Sequence, residues 1–171
     1  ISFIFSDDHL FDIVNYLNAG LELIIDSDEK IKLIELNVNA AKKAKLSSAY
    51  EIALQYLNKA FLLLSSYTNP WTDLHALTIQ VYRELAELYY YNFQFEQLEE
   101  CVEKLLKNTE ELSEIANAAR LLISYFTTTA NYTKAVESGR EALRLMEIIL
   151  PNEDLEKHIY FEQSQITSYL K

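Results

Sequence analysis

Glycine and proline are almost missing from this chain, with two of each in 171 residues. Sandwiches, barrels and doubly wound sheets need turn glycines in number, because left-handed and tight-turn backbone is open chiefly to a residue without a Cβ. Helices joined by short polar loops make no such demand, so the scarcity excludes sheet architectures and leaves an all-α fold. It also removes nucleotide chemistry built on glycine loops. Gly20 and Gly139 both sit inside helical patterns, so no Walker loop, GxGxxG turn or kinase glycine loop can form. The one cysteine, Cys101, makes an intrachain disulfide impossible and fits a reducing cytosol. Within "LEECVEKLL" it reads as a small hydrophobe on a helix face.

Positive charge is scarce as well. Fifteen Lys and Arg stand against 26 Asp and Glu, a formal charge of −11, which disfavours nucleic-acid backbones and anionic membrane surfaces as partners. No apolar run approaches the roughly 18–20 residues that a membrane span needs. The opening "ISFIF" is too short for a signal peptide and lacks a basic stretch before it. The expected location is cytoplasmic. Because the chain opens on Ile1 rather than Met, a piece of a longer polypeptide is expected.

Catalytic and metal motifs are absent in the same way. His9, His75 and His158 fall on three distant predicted helices, none with a second His or Cys at ligand spacing. There is no Gly-x-Ser-x-Gly, and no His shares the segment of Cys101. "DSDEK" at 26–30 lacks the Gly and the closing Glu of a calcium loop. It reads instead as a helix start, with carboxylates at the positive end of the dipole. Asn131-Tyr132-Thr133 is a glycosylation sequon by letters, with nothing that points to secretion. The carboxylates are dispersed along helix faces. The expectation is no catalytic residue, no metal, no cofactor and no enzyme in this chain.

What the chain does have is apolar bulk at helical spacing. Half of it is hydrophobic and 12% aromatic, with twelve Tyr, enough to offset the ordering entropy of folding. Helix-period patterning predicts about eight helices. Ser6-Asp7-Asp8 caps the first, which runs through Leu10, Ile13, Val14, Leu17 and Leu21. Ser27-Asp28-Glu29 opens the second, to about Lys45. Ser47 and Ser48 start the third, ending near Ser65. Asn69-Pro70, an N-cap followed by Pro at the first helical position, opens a long fourth helix to about Tyr91. The fifth covers 94–106, the sixth 110–128 and the seventh 133–149, stopped by Pro151; the eighth runs from about Asn152 to Leu170. Loops this short make neighbouring helices antiparallel.

One pattern then recurs. In "AYEIALQYLNKAFLLL", Tyr50, Ala53, Leu57 and Ala60 stand at offsets 0, 3, 7 and 10; Phe95-Leu98-Val102-Leu105 and Tyr132-Ala135-Gly139-Ala142 repeat the offsets. Such residues share one helix face. Small side chains there let two helices of a hairpin approach within about 8–10 Å, and the aromatic at offset 0 is expected to plug the hairpin's turn. Six and ten residues before each aromatic stand Ala44 and Ala40, Tyr89 and Leu85, Phe126 and Leu122, an apolar partner helix each time. The fold expected is a right-handed α-hairpin solenoid of tetratricopeptide-like kind, with repeat steps of 45 and 37 residues (50 to 95, 95 to 132) in place of the usual 34.

In tetratricopeptide arrays the first helix of each hairpin lines a concave groove. Transferred to this register, that geometry points Glu35, Lys42 and Lys45 inward from the first unit. The second contributes Gln80, Arg83, Glu87, Tyr90 and Tyr91, and the third Asn117, Arg120, Ser124, Thr127 and Thr128. Four cations against two anions make this face mildly positive on a negative chain. It is either a groove for an acidic segment or a solvated face of mixed charge. Peptide-clamp tetratricopeptide domains grip a C-terminal carboxylate with a set pattern of Lys, Asn and Arg. The corresponding places hold Val38, Lys42, Glu84, Asn117 and Leu121, so that pattern is absent.

Three stretches in order, "LFDIVNYLNAGLELI" (10–24), "AAKKAKLSSAYEIALQYLNKAFLLL" (40–64) and "YTKAVESGREALRLMEIILP" (132–151), resemble the helical repeat region of large bacterial signalling proteins. These are multidomain predicted ATPases with a serine/threonine kinase domain in front and often a sensor histidine kinase behind. The resemblance implies that residues 1–26 form a leading helix at the junction with a preceding domain. Residues 27–150 would form three hairpins, and 151–171 the first helix of a following repeat or a cap. It further implies a scaffold for contacts with a protein, a peptide or neighbouring domains of the same polypeptide, the ATP-binding and kinase residues lying elsewhere. The alternative is a stand-alone adaptor or peptide receptor. Ala40-Ala41 and Ile148-Ile149 stand where that family commonly has Ala-Gly and Gly-Val; both replacements remain helix-compatible.

Overall fold

The computed structural model describes residues 9–151 and 155–169, and among them every regular element is helical. The helices are α1 (Leu10–Ala19), α2 (Ser27–Leu46), α3 (Tyr50–Leu64), α4 (Pro70–Asp73), α5 (His75–Tyr91), α6 (Phe95–Lys107), α7 (Leu112–Thr128), α8 (Tyr132–Leu145) and α9 (Leu155–Tyr169). A 3₁₀ turn, Leu21–Leu23, follows α1.

Helices α2 and α3, α5 and α6, and α7 and α8 pack as consecutive hairpins. Each hairpin also packs on the next, α3 against α5 and α6 against α7, and the first helices α2, α5 and α7 touch in series. The small-residue expectation holds at the first hairpin, where Ala40, Ala41 and Ala44 of α2 and Ala53 and Ala60 of α3 are all buried. In the second, Leu98, Val102 and Leu105 are buried at the same offsets. One core runs from Val14 to Leu121, and a smaller cluster of Ile115, Ala119 and Ala142 lies inside the third hairpin. Helix α1 closes the front. Asn18 and the fully buried Asn37 of α2 exchange two amide hydrogen bonds of 2.8 and 2.9 Å, and Phe11 stacks on Tyr56. The exchange satisfies an amide that would be costly to bury alone.

The hairpin turns differ from the expectation. Ser47 and Ser48 do not start α3; they end α2, and Ser48 is in the left-handed region at φ 57°. Phe93, Ala130 and Glu147 repeat this at φ 58°, 56° and 62°. Each carries the two bonds of a Schellman cap. At the first turn these are Ser48 N–H to Lys45 O and Ala49 N–H to Ala44 O; at the third, Ala130 N–H to Thr127 O and Asn131 N–H to Phe126 O. The turns therefore use non-glycine residues at about 1–2 kcal/mol each, which is how the chain turns without glycine.

Other boundaries shift for local reasons. The N-cap of α2 is Asp26, whose carboxylate accepts from the backbone N–H of Asp28 and Glu29 at 2.9 and 3.0 Å; such a cap is worth about 1 kcal/mol. The long fourth helix is broken at Leu74 (φ −131°, ψ 40°) into α4 and α5, although Asn69 is the N-cap and Pro70 the first residue, as expected. Buried Thr78 spans the break, its hydroxyl donating to Pro70 O at 2.7 Å, while Trp71 packs on Tyr82. Helix α8 ends at Leu145, before Ile149, because Glu147 enters the left-handed cap. The expected cap at Ser6-Asp7-Asp8, the expected start of the eighth helix near Asn152 and its expected end at Leu170 lie outside the described residues.

Candidate functional site: the face of the first helices

The thirteen groove residues expected from the sequence lie on α2, α5 and α7. Those three helices stand side by side, and ion pairs join them. Lys45 of α2 donates to Glu84 Oε2 and Glu87 Oε2 of α5 at 2.5 and 2.7 Å. Lys42 lies 3.9 Å from Glu84. Arg83 of α5 donates to Glu114 of α7 at 2.5 Å and lies 4.0 Å from Glu84.

Two members of this network have no place in the groove expected from the sequence. Glu84 and Glu114 are buried, at 7% and 4% exposure, and each offsets the charge of a neighbouring cation. With both included, the four cations Lys42, Lys45, Arg83 and Arg120 are matched in number by four anions, Glu35, Glu84, Glu87 and Glu114, and Lys42, Lys45 and Arg83 stand against the last three, so the expected excess of positive charge is gone. The signal available was helical spacing. Glu84 is three residues before Glu87 on α5, facing α2, and Glu114 sits in the first turn of α7.

Burial lowers the pKa of the Lys45 ammonium, but the hydrogen bonds and charges of Glu84 and Glu87 together outweigh it, and the net shift is upward. Beside Arg83, an open cavity of about 400 Å³ is lined by Gln80, Glu110, Glu111 and Glu114 among others. Glu114 Oε2 is buried and without a hydrogen-bond partner among the described residues.

The aromatic members are partly committed to packing. Tyr91 stacks on Tyr50 with centroids 4.5 Å apart, and Tyr90 meets Tyr91 edge-on. Burial first, then the charge of Glu87, raises the pKa of the Tyr91 phenol, and Arg120 opposes it, which places Arg120 near this end of α5. Thr128 donates its hydroxyl to Ser124 O in its own helix at 2.8 Å. Glu35, Asn117, Arg120 and Thr127 are exposed, and Gln80 and Ser124 half-buried. The structure thus gathers Lys42, Lys45, Arg83, Glu87, Tyr90, Tyr91 and Arg120. Glu35 and Asn117 stand outside the ion-pair network.

The Cys101 thiol is pushed up to about 12, chiefly by burial, and donates to Tyr82 O at 3.3 Å. Among the described residues, no group of three or more His, Cys, Asp or Glu is disposed to hold a metal ion, and no helix is long and apolar enough to cross a membrane.

No family model matches the chain, and no solved structure matches it. Among curated proteins it is similar to "Hybrid signal transduction histidine kinase G" of Dictyostelium discoideum, with 25% identity over 149 residues. The likeness covers 83% of this chain and 4% of that protein.

Proposed function

We propose that this chain is a non-catalytic, tetratricopeptide-like scaffold segment of a cytoplasmic signal-transduction protein, mediating interdomain or protein–protein contact. The observation that carries the reading is the span of the likeness. It runs through 83% of this chain yet occupies 4% of a signalling kinase, as an internal module of a much longer polypeptide would. Consecutive hairpins with a core of alanine and leucine support it, since such modules offer extended surface rather than an enclosed reaction site.

The alternative, a stand-alone receptor for an acidic segment, draws less support. Lys42, Lys45 and Arg83 already face Glu84, Glu87 and Glu114, so an incoming carboxylate would compete with carboxylates already in place, two of them buried. Arg120 is the cation best exposed to such a ligand.

The test is the reading frame around the chain, followed by deletion. The scaffold reading expects kinase, ATPase or histidine-kinase domains in frame. It also expects that removing residues 27–150 from the full polypeptide uncouples input from output while the catalytic domains keep their basal activity. A frame with no signalling domain on either side refutes it. Binding of an acidic peptide that weakens severalfold on Arg120→Ala would instead favour the receptor.

A further inference from the structure

Each junction between hairpins is closed by the same two devices. The aromatic that begins a second helix stacks on the next hairpin's first helix: Tyr50 on Tyr91 at 4.5 Å and 14°, Phe95 on Tyr125 at 4.4 Å and 21°. A cation on one first helix reaches a carboxylate on the next: Lys45 to Glu84 and Glu87, Arg83 to Glu114.

The third hairpin carries both devices, with no ring stacked on Tyr132 and no carboxylate paired with Arg120 among the described residues. Tyr132 opens α8 as Phe95 opens α6, two residues after a left-handed turn residue. It was expected to plug its turn, but it is 65% exposed. Arg120 stands twelve residues before Tyr132, the same interval by which Arg83 precedes Phe95, and it too is exposed. Val136, one turn beyond Tyr132, is also exposed.

From this repetition we infer that the outer end of the α7–α8 hairpin is a docking face for one further helical hairpin. The first helix of that hairpin presents a carboxylate to Arg120 and, two or three turns later on the same side, an aromatic ring to Tyr132. The spacing follows from the two occupied junctions, where the accepting carboxylate precedes the ring by seven residues on α5 (Glu84, Tyr91) and eleven on α7 (Glu114, Tyr125). Both intervals return to one helix face within about 20°. The opposite charge satisfies Arg120, the ring covers Tyr132, and the new interface continues those already formed. This names the kind of partner and rests on the scaffold reading for its biological sense, while its test is independent of the gene's other domains.

A matching occupant is α7–α8 itself, whose Tyr125 and Glu114 already accept Phe95 and Arg83. Inserting a second copy of residues 111–147 after Glu147 keeps the whole chain and repeats the 37-residue step from 95 to 132. The extended chain is expected to gain helical circular-dichroism signal and melt higher than the native-length chain. Tyr132→Ala and Arg120→Glu, made in the first copy only, are expected to lower the extended chain's melting temperature by about 2–4 °C each, and the native-length chain's by under about 1 °C. Glu114→Arg in the second copy should rescue Arg120→Glu. Equal losses in both backgrounds, no rescue, or an inserted copy that adds no helix overturn the inference. So does a native-length dimer that Tyr132→Ala dissociates, since the occupant would then be a second copy of the chain.

Discussion

Replacing Lys45 by Met should destabilise the chain through the carboxylate it leaves behind, more than through the bond it removes. Glu84 is 7% exposed and receives Lys45 at 2.5 Å. Breaking one side of a fully buried pair costs about 3–5 kcal/mol. Here the Lys45 side chain is 21% exposed, and Lys42 and Arg83 remain 3.9 and 4.0 Å from Glu84. Partial solvation and these second partners reduce the expected loss to about 2 kcal/mol, or about 4–8 °C in a chain of this size. Urea unfolding followed by circular dichroism reads it directly. Glu84→Gln added to Lys45→Met should recover at least half, because the orphaned charge is gone. Glu87→Gln alone, at a 26% exposed side chain, should cost under about 1 kcal/mol. The pH dependence carries a sign. The Lys45 pKa is raised on folding, so its contribution is full below the unfolded value near 10.5 and is lost as pH rises through the higher folded value. The gap between wild type and Lys45→Met should therefore narrow only above about pH 10.5. A Lys45→Met chain within about 0.5 kcal/mol of wild type, the range of ordinary surface changes, or a double variant less stable than the single, refutes the reasoning.

Other substitutions follow from the same geometry. Ala130 is held at φ 56°, so Ala130→Gly should stabilise by about 0.5–1 kcal/mol in the same unfolding assay. Gly139 is the opposite case. It lies inside α8, and a Cβ added there would stand 3.5 Å from Ile123 Cδ1, an ordinary contact, so Gly139→Ala should gain about 0.5–1 kcal/mol. Ala53 and Leu98 occupy the same repeat offset and both are 0% exposed, yet opposite changes in size should each destabilise. Ala53→Leu should cost about 1–3 kcal/mol by overpacking, and Leu98→Ala about 2–5 kcal/mol by leaving a cavity. Cys101, buried and with its thiol pushed up to about 12, should react with a disulfide reagent at about pH 8 far more slowly when folded than in urea.

The repeat offsets were legible because packing faces are local. Helical period alone places Ala53, Leu57 and Ala60, or Leu98, Val102 and Leu105, on one side of a helix, and those residues are buried. Lack of glycine likewise pointed away from sheets. The turns were less legible. Ser48, Phe93, Ala130 and Glu147 adopt a conformation that their side chains disfavour, so no residue preference announced it; the hydrogen bonds of the cap and the docking of paired helices hold them there. The break at Leu74 is of the same kind, since its neighbours are helix-compatible and the packing of Trp71 on Tyr82 lies across the break.

At the candidate site, the sequence by itself determined which helices carry Lys42, Lys45, Arg83 and Arg120, because face follows from spacing. Only the tertiary structure decided their charge state as a surface. Glu84 and Glu114 come from neighbouring helices, 39 and 31 residues from Lys45 and Arg83, and Coulomb energy depends on distance through space, which spacing along one helix does not encode. The same division separates Phe95 from Tyr132. Both are aromatics that open a second helix after a left-handed turn, and the helix that follows makes one a packed ring while the other stays exposed.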